Sequence, residues 1–178
     1  MNEEEIIAAL KKMKKEGTLS NSLPQVIEYA KELSSNSLEK AGYILRDISF
    51  ADWMHPEVVD LKPIKIAVIS NFTADSLSRY LCGLLIQEGI WPEFYIAPYN
   101  QYVYQLMGEK SDLYRFEPDI TFCLLDEMLI FEECQDDDWT VEDIKYGTKQ
   151  KIEQLRLLIE MYQRHCKGLL VLNTIPFP

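Results

Sequence analysis

The hydrophobic pattern of this chain changes character near residue 64. Before that point apolar residues recur at helical spacing. Ile6, Ile7, Leu10 and Met13 form one stripe, with Lys11, Lys12, Lys14 and Lys15 between them, and Gly17 ends it. Ser22-Leu23-Pro24 opens a second helix, with serine placed to cap and proline in the first turn. Its stripe is Val26, Ile27, Ala30 and Leu33, and a third short helix is predicted over Leu38 to Ile48. Phe50, Trp53 and Met54 then form an apolar knot before Pro56, and Pro63 closes the linker. Residues 1–62 thus read as a helical leader, able to pack on the rest of the chain or on a partner.

From Ile64 onward the runs are continuous rather than periodic. Ile64–Ile69 is a predicted strand interrupted only by Lys65. Ala74–Glu88 follows as an amphipathic helix with Leu77, Tyr80, Leu81, Leu84 and Leu85 on one face, and Gly89 terminates it. Pro92–Ala97 is a second strand, 99–107 and 111–116 are helix or loop, and Ile120–Leu125 is a third strand. Val141–His165 reads as a long helix with a stripe of Ile144, Ile152, Leu155, Leu158, Ile159 and Tyr162; Gly168 and a fourth strand, Leu169–Leu172, complete the pattern. Strands alternate with helices, and strands one, three and four lack polar alternation. Both faces of such strands are expected to be buried, which means a parallel sheet covered by helices. Residues 63–178 are therefore predicted to form an α/β domain of strand order 2-1-3-4, because right-handed crossovers wind consecutive β-α units that way.

Composition narrows the function classes. At 178 residues the chain has room for one core and a small appendage. No apolar run approaches the ~20 residues of a membrane helix. The start, Met1-Asn2-Glu3-Glu4-Glu5, is acidic where a secretory signal would be basic, so a cytoplasmic location is expected. A net charge of −11 argues against nucleic acid and anionic membrane. The acidic run at Glu132, Glu133, Asp136, Asp137, Asp138, Glu142 and Asp143 has no EF-hand spacing and no glycine, and reads as a solvated loop. Cys82, Cys123, Cys134 and Cys166 include no C-x-x-C pair, which favours reduced thiols over a metal or disulfide. Neither G-x-G-x-x-G nor a P-loop occurs. No metal or cofactor is expected in this chain.

Candidate chemistry follows from topology. In an open parallel sheet, ligands bind beyond the carboxyl ends of the strands, where strand order reverses. Strand one delivers Ser70, Asn71, Phe72 and Thr73; the loop after strand two delivers Tyr99, Asn100, Gln101 and Tyr102; strand three delivers Asp126 and Glu127; strand four delivers Asn173 and Thr174. The expected ligand-binding set is Asn71, Thr73, Tyr99, Gln101, Asp126 and Asn173, with Ser70 and Thr73 as candidate nucleophiles. Thr73 is also placed to cap the following helix. His55 precedes Pro56 in the linker and His165 ends the long helix. A hydroxyl at strand one then lacks the base that would activate it unless one of these histidines reaches inward.

These residues carry a resemblance. Asn71-Phe72-Thr73, Tyr99-x-Gln101-Tyr102, Ser111-x-Leu113-Tyr114 and Pro118-Asp119 resemble the N-terminal domain of FkbH-like proteins, subfamily IIIC of the haloacid dehalogenase superfamily. The likeness covers 64–178, behind a similar helical leader. It implies a flavodoxin-like, SGNH-hydrolase-like three-layer fold that precedes a phosphatase-like domain. The family is tied to loading glyceryl or acyl units onto carrier proteins in polyketide, peptide or glycan assembly. The Asp-x-Asp-x-Thr motif of the phosphatase-like domain is absent here, as are the Gly-Asp-Ser, Gly-x-Asn-Asp and Asp-x-x-His blocks of active SGNH hydrolases. The expectation is a chain not catalytic by itself, partnered by an acyl carrier protein or a downstream phosphatase-like domain. The alternatives are an esterase or acyltransferase using Ser70 or Thr73, and a pure interaction module acting through the leader. Leu169-Leu170-Val171-Leu172 would also leave an apolar edge, so continuation into further sheet, or self-association through this strand, is expected.

Overall fold

The computed structural model of the protein describes residues 1–48, 62–131 and 140–174. The knot at Phe50, Trp53 and Met54, His55, and most of the acidic run lie outside the described residues. The strands form an all-parallel sheet of order β2-β1-β3-β4, consistent with a flavodoxin-like α/β fold and with the order read from the sequence. The chain divides into two compact units, one of residues 1–65 with 74–94, the other of 66–73 with 95–178.

The first unit is helical. Helix α1 (Glu3–Glu16) begins with a capping box between Asn2 and Glu5 and ends on Gly17, whose φ of 67° is the left-handed conformation a helix stop requires. Helix α2 (Leu23–Lys31) has Pro24 in its first turn, but Ser22 makes no side-chain cap bond. Helix α3 (Ser35–Leu45) starts earlier than its apolar stripe suggests, because its N-terminus is capped from elsewhere. The Glu3 carboxylate accepts hydrogen bonds from the Ser34 N–H (3.1 Å) and the Ser34 and Ser37 hydroxyls. Those three donors hold the Glu3 carboxyl below the usual carboxylate range, the Ser37 hydroxyl contributing most.

Helix α4 (Asp75–Gln87) corrects two sequence expectations. Its N-cap is Ala74, without a side-chain bond, so Thr73 does not cap it. Its deepest residues are Ser78, Cys82, Gly83 and Ile86, whereas Leu77, Tyr80, Leu81, Leu84 and Leu85 are not its most buried positions. Close approach to α3 explains the reversal. A Cβ on Gly42 would run into the Arg79 carbonyl oxygen, and one on Gly83 into that of Leu38. Two backbones packed this tightly select the smallest residues for the contact, and the leucine face is displaced to its flank. Arg46 of α3 and Arg79 both bind Asp75, Arg46 at 2.5 Å, which ties the same two helices at their ends.

The second unit carries most of the sheet. Strand β1 (Lys62–Ser70) runs parallel to β3 (Ile120–Leu124), with Ile66 opposite Ile120 and Ser70 opposite Leu124; β3 runs parallel to β4 (Leu169–Leu172). Pro63 belongs to the strand rather than to a linker, in the opening residues where a missing N–H is tolerated. On one face Ala67, Ile69, Cys123 and Leu125 pack against α5 (Tyr102–Met107), α6 (Asp112–Phe116) and α8 (Val141–His165). Strand β2 (Ile90–Ile96) leads into this unit, and the short α7 (Met128–Phe131) follows β3.

Burial of β4 departs from the expectation that both faces are covered. Leu169 is 61% and Leu172 38% exposed, because β4 is the edge of the sheet. Helix α8 departs too. Of its predicted stripe only Leu158 and Tyr162 are buried, and Ile152 is exposed. Its length is set by caps instead: Thr140 and Asp143 form a capping box at its start.

Candidate functional site at the carboxyl end of the sheet

Polar residues follow the strands of the second unit, and they bond the strand ends to one another. The Asn71 amide donates to Asp126 Oδ1 (2.6 Å), and the Asp126 N–H donates back to Asn71 Oδ1 (3.0 Å). The same Asp126 oxygen accepts the Met128 N–H at 3.1 Å, which starts the turn into α7. Asn173 does for β4 what Asn71 does for β1. Its Oδ1 accepts from the Leu125 N–H and its Nδ2 donates to the Leu125 carbonyl, both at 2.8 Å. The two asparagine side chains thus extend the ladder by one step on either side of β3, after the backbone ladder has stopped.

Asn71 is 8% exposed and needs these partners; Asp126 is half-buried and Asn173 exposed. One Asp126 oxygen is fully engaged, and the carboxylate is held at the rim where it can meet solvent. The loop after β2 reaches the same end. Ala97 N–H binds the Val68 carbonyl (2.9 Å), and Asn100 N–H binds that of Ser70 (3.1 Å). Asn100 adopts φ 55°, a left-handed turn that asparagine tolerates better than most residues. Tyr99 and Gln101, beside it, are exposed, as is Thr73. The hydrogen-bonded part of the predicted set is therefore Asn71, Asp126 and Asn173. Thr73, Tyr99 and Gln101 lie on the surrounding surface with open side chains.

Ser70 is 6% exposed, and its hydroxyl donates to the Phe72 carbonyl at 2.6 Å, closing a tight turn. Its proton is committed to backbone. His165 lies at the other end of the sheet, beside the starts of β3 and β4, with its ring 5.3 Å from that of Tyr114. Among the described residues no metal-binding group of histidine, cysteine and carboxylate side chains occurs.

Several polar residues prove structural in a way sequence periodicity did not flag. Gln105, almost fully buried, accepts the Leu113 N–H on its side-chain oxygen (3.1 Å), and its carbonyl accepts the Ser111 hydroxyl (2.7 Å). Ser111 also caps α6, and the Tyr114 hydroxyl donates to the Leu106 carbonyl (2.6 Å). Burial pushes the Tyr114 phenol up to about 12. The Ser111-x-Leu113-Tyr114 element therefore fastens α6 to α5. Under the sheet Thr121 and Tyr162 share a buried hydrogen bond of 3.0 Å, with the tyrosine pushed up chiefly by burial.

Fold and site together define a parallel α/β domain with a polar rim at the strand carboxyl ends. Among solved structures the chain is similar to the N-terminal part of the protein BF1531 from Bacteroides fragilis, a crystal structure containing a phosphatase domain complexed with Mg. Identity is 20% and the TM-score 0.57, over 86% of this chain and 33% of that one. The chain thus spans about a third of that structure's length, and the likeness is one of fold. No protein-family model and no curated protein matches the chain. Among the described residues no helix is long and apolar enough to cross a membrane.

Proposed function

We propose that this chain is a non-catalytic SGNH-like domain of an FkbH-like biosynthetic protein. It holds a glyceryl or acyl group, or the carrier that bears it, for a neighbouring phosphatase-like domain. The observation that carries this reading is the state of Ser70. Its hydroxyl is buried and donates to the Phe72 carbonyl, and among the described residues no histidine stands at that end of the sheet. A serine so placed lacks the exposure and, among the described residues, the base that attack on an ester needs. What the rim offers instead is binding chemistry: a fixed carboxylate at Asp126, exposed hydroxyl and amide groups at Thr73 and Gln101, and the exposed Tyr99 ring. Such groups suit a hydroxylated or carbonyl-bearing ligand. The shared fold with part of a protein that contains a phosphatase domain supports the association with such a domain.

A fluorophosphonate probe and a ligand titration test it together. The expected result is no covalent labelling, with glycerate or its thioester shifting the amide resonances of Asn71, Thr73 and Asp126. Stoichiometric labelling lost on Ser70→Ala or Thr73→Ala would overturn the reading in favour of an esterase or acyltransferase. Absence of both labelling and shifts would overturn the binding role.

A further inference from the structure

The four stretches of sequence that follow the strands share a charge pattern. Residues 70–78, 97–109 and 173–178 contain no lysine, arginine or histidine. Residues 125–153 contain ten carboxylates and three cations, Lys145, Lys149 and Lys151, all on α8. Cations gather ahead of the strands instead: Arg115 precedes β3, and Arg164, His165 and Lys167 precede β4. Arg79, six residues beyond Thr73, is bound to Asp75, as is Arg46. Helix N-termini, the usual seats for an anion, are already answered by the chain's own acids: Asp75 in the first turn of α4, Glu142 and Asp143 in that of α8.

At the rim itself Asp126 Oδ1 accepts from the Asn71 amide and the Met128 N–H, while among the described residues no hydrogen bond or ion pair reaches Oδ2. Glu127 beside it is exposed. The open groups around this carboxylate are uncharged: the Thr73 hydroxyl, the Gln101 amide and the Tyr99 phenol. We propose that the rim selects ligands by charge, taking a hydroxylated acyl group as its ester, thioester or amide and rejecting the free acid and its phosphates. This rests on the binding role proposed above and names the form of ligand that role requires. A ligand hydroxyl can donate to Asp126 Oδ2, and a ligand carbonyl can accept from Thr73 or Gln101. A ligand carboxylate would bring a second negative charge to Asp126 with no cation to offset it. At about 5 Å the repulsion costs roughly fourfold in affinity at the dielectric of water, and more beside a half-buried carboxylate. Acyl transfer or condensation must therefore precede binding, since that step removes the charge of the acid.

Amide-resonance titrations of the full chain with glyceramide and with glycerate test this, because the two compounds are close in size and differ in charge. Glyceramide should shift the Asn71, Thr73 and Asp126 amides, and glycerate should bind about fivefold or more weaker in about 20 mM salt. The gap should close to within about twofold in about 500 mM salt. Asp126→Asn keeps an oxygen for Asn71 and Met128 and should narrow the low-salt gap. Glu127→Gln, at an exposed position, should narrow it further when added. Equal binding of the two compounds, tighter binding of glycerate, a gap indifferent to salt, or one that survives both substitutions would each overturn charge selection and leave the binding role standing. Shifts from neither compound would overturn the binding role and the selection with it.

Discussion

Asn71 and Asp126 stand 55 positions apart and hold each other by two hydrogen bonds, side chain to side chain at 2.6 Å and backbone to side chain at 3.0 Å. The pair links the end of β1 to the end of β3 just beyond their last backbone bonds. Removing either partner strands the other. Asn71→Ala should cost about 2 kcal/mol in urea unfolding, because the amide is buried and two bonds are lost. Asp126→Ala should cost a similar amount. Asp126→Asn should cost under ~1 kcal/mol, since its carbonyl oxygen can still accept from Asn71 and Met128. Equal losses for Asp126→Ala and Asp126→Asn would show that charge, not geometry, holds the pair.

That pairing marks how far the sequence could be read. The strand order and the residues delivered to the sheet's carboxyl end followed from uninterrupted apolar runs and from the handedness of crossovers. The partners did not. Whether Asn71 faces ligand, helix or strand depends on atoms 55 residues away, and no local pattern encodes them. The same limit misplaced the α4 face. Its leucines carry the stronger apolar signal, yet the buried face is that of Ser78, Cys82, Gly83 and Ile86, and at Gly83 the Leu38 backbone comes too close for anything larger. The exposed apolar edge at β4 was legible from its run of leucines, but exposure along the first turns of α8 was missed, since hydrophobic pattern reports what could be covered, not what is.

The glycine contacts give a sharp comparison. Gly42→Ala and Gly83→Ala place a methyl group against backbone carbonyls that cannot move independently, and each should destabilise by about 3 kcal/mol or more. Gly147 lies inside α8, and no atom comes within 4 Å of where an alanine methyl would sit. Gly147→Ala should therefore stabilise by roughly 0.5–1 kcal/mol through helix propensity alone. Thermal melts of the three variants decide it; a neutral Gly83→Ala would show that α3 and α4 can separate freely.

Acid should loosen the α3–α4 pair. Hydrogen bonding from Arg46, then from Arg79, holds the Asp75 carboxyl below the usual carboxylate range against the opposing effect of burial. A pKa lowered on folding favours the folded state wherever the carboxylate is charged in both states. Asp75 therefore contributes fully above its unfolded value of about 4, and the contribution fades as pH falls below it. Because the side chain is partly exposed, solvent screens the effect. Asp75→Asn should lower the urea midpoint at pH 7 and leave it closer to wild type at pH 3. A constant difference across that range would assign the loss to packing.

Thiol reactivity should separate the described cysteines by depth. Cys82 and Cys123 are fully buried, and burial pushes each thiol up to about 12. At pH 8 both are protonated and out of reach, so alkylation requires the surrounding helices or strands to open. Cys166 is half-buried, and its sulfur accepts the Gly168 N–H at 3.4 Å. A short iodoacetamide pulse, read by peptide mass spectrometry, should modify Cys166 roughly tenfold or more faster than Cys82 or Cys123, with the rates converging in urea. The raised values also carry a sign. The folded state resists ionising these thiols, so their contribution to stability is complete below the unfolded value near 8.5 and is lost as pH rises toward 12. Cys82→Ala should flatten that alkaline limb while lowering stability at neutral pH through the cavity it leaves. Equal alkylation of Cys82 and Cys166 in the native protein would mean that the α3–α4 contact opens on the timescale of the pulse.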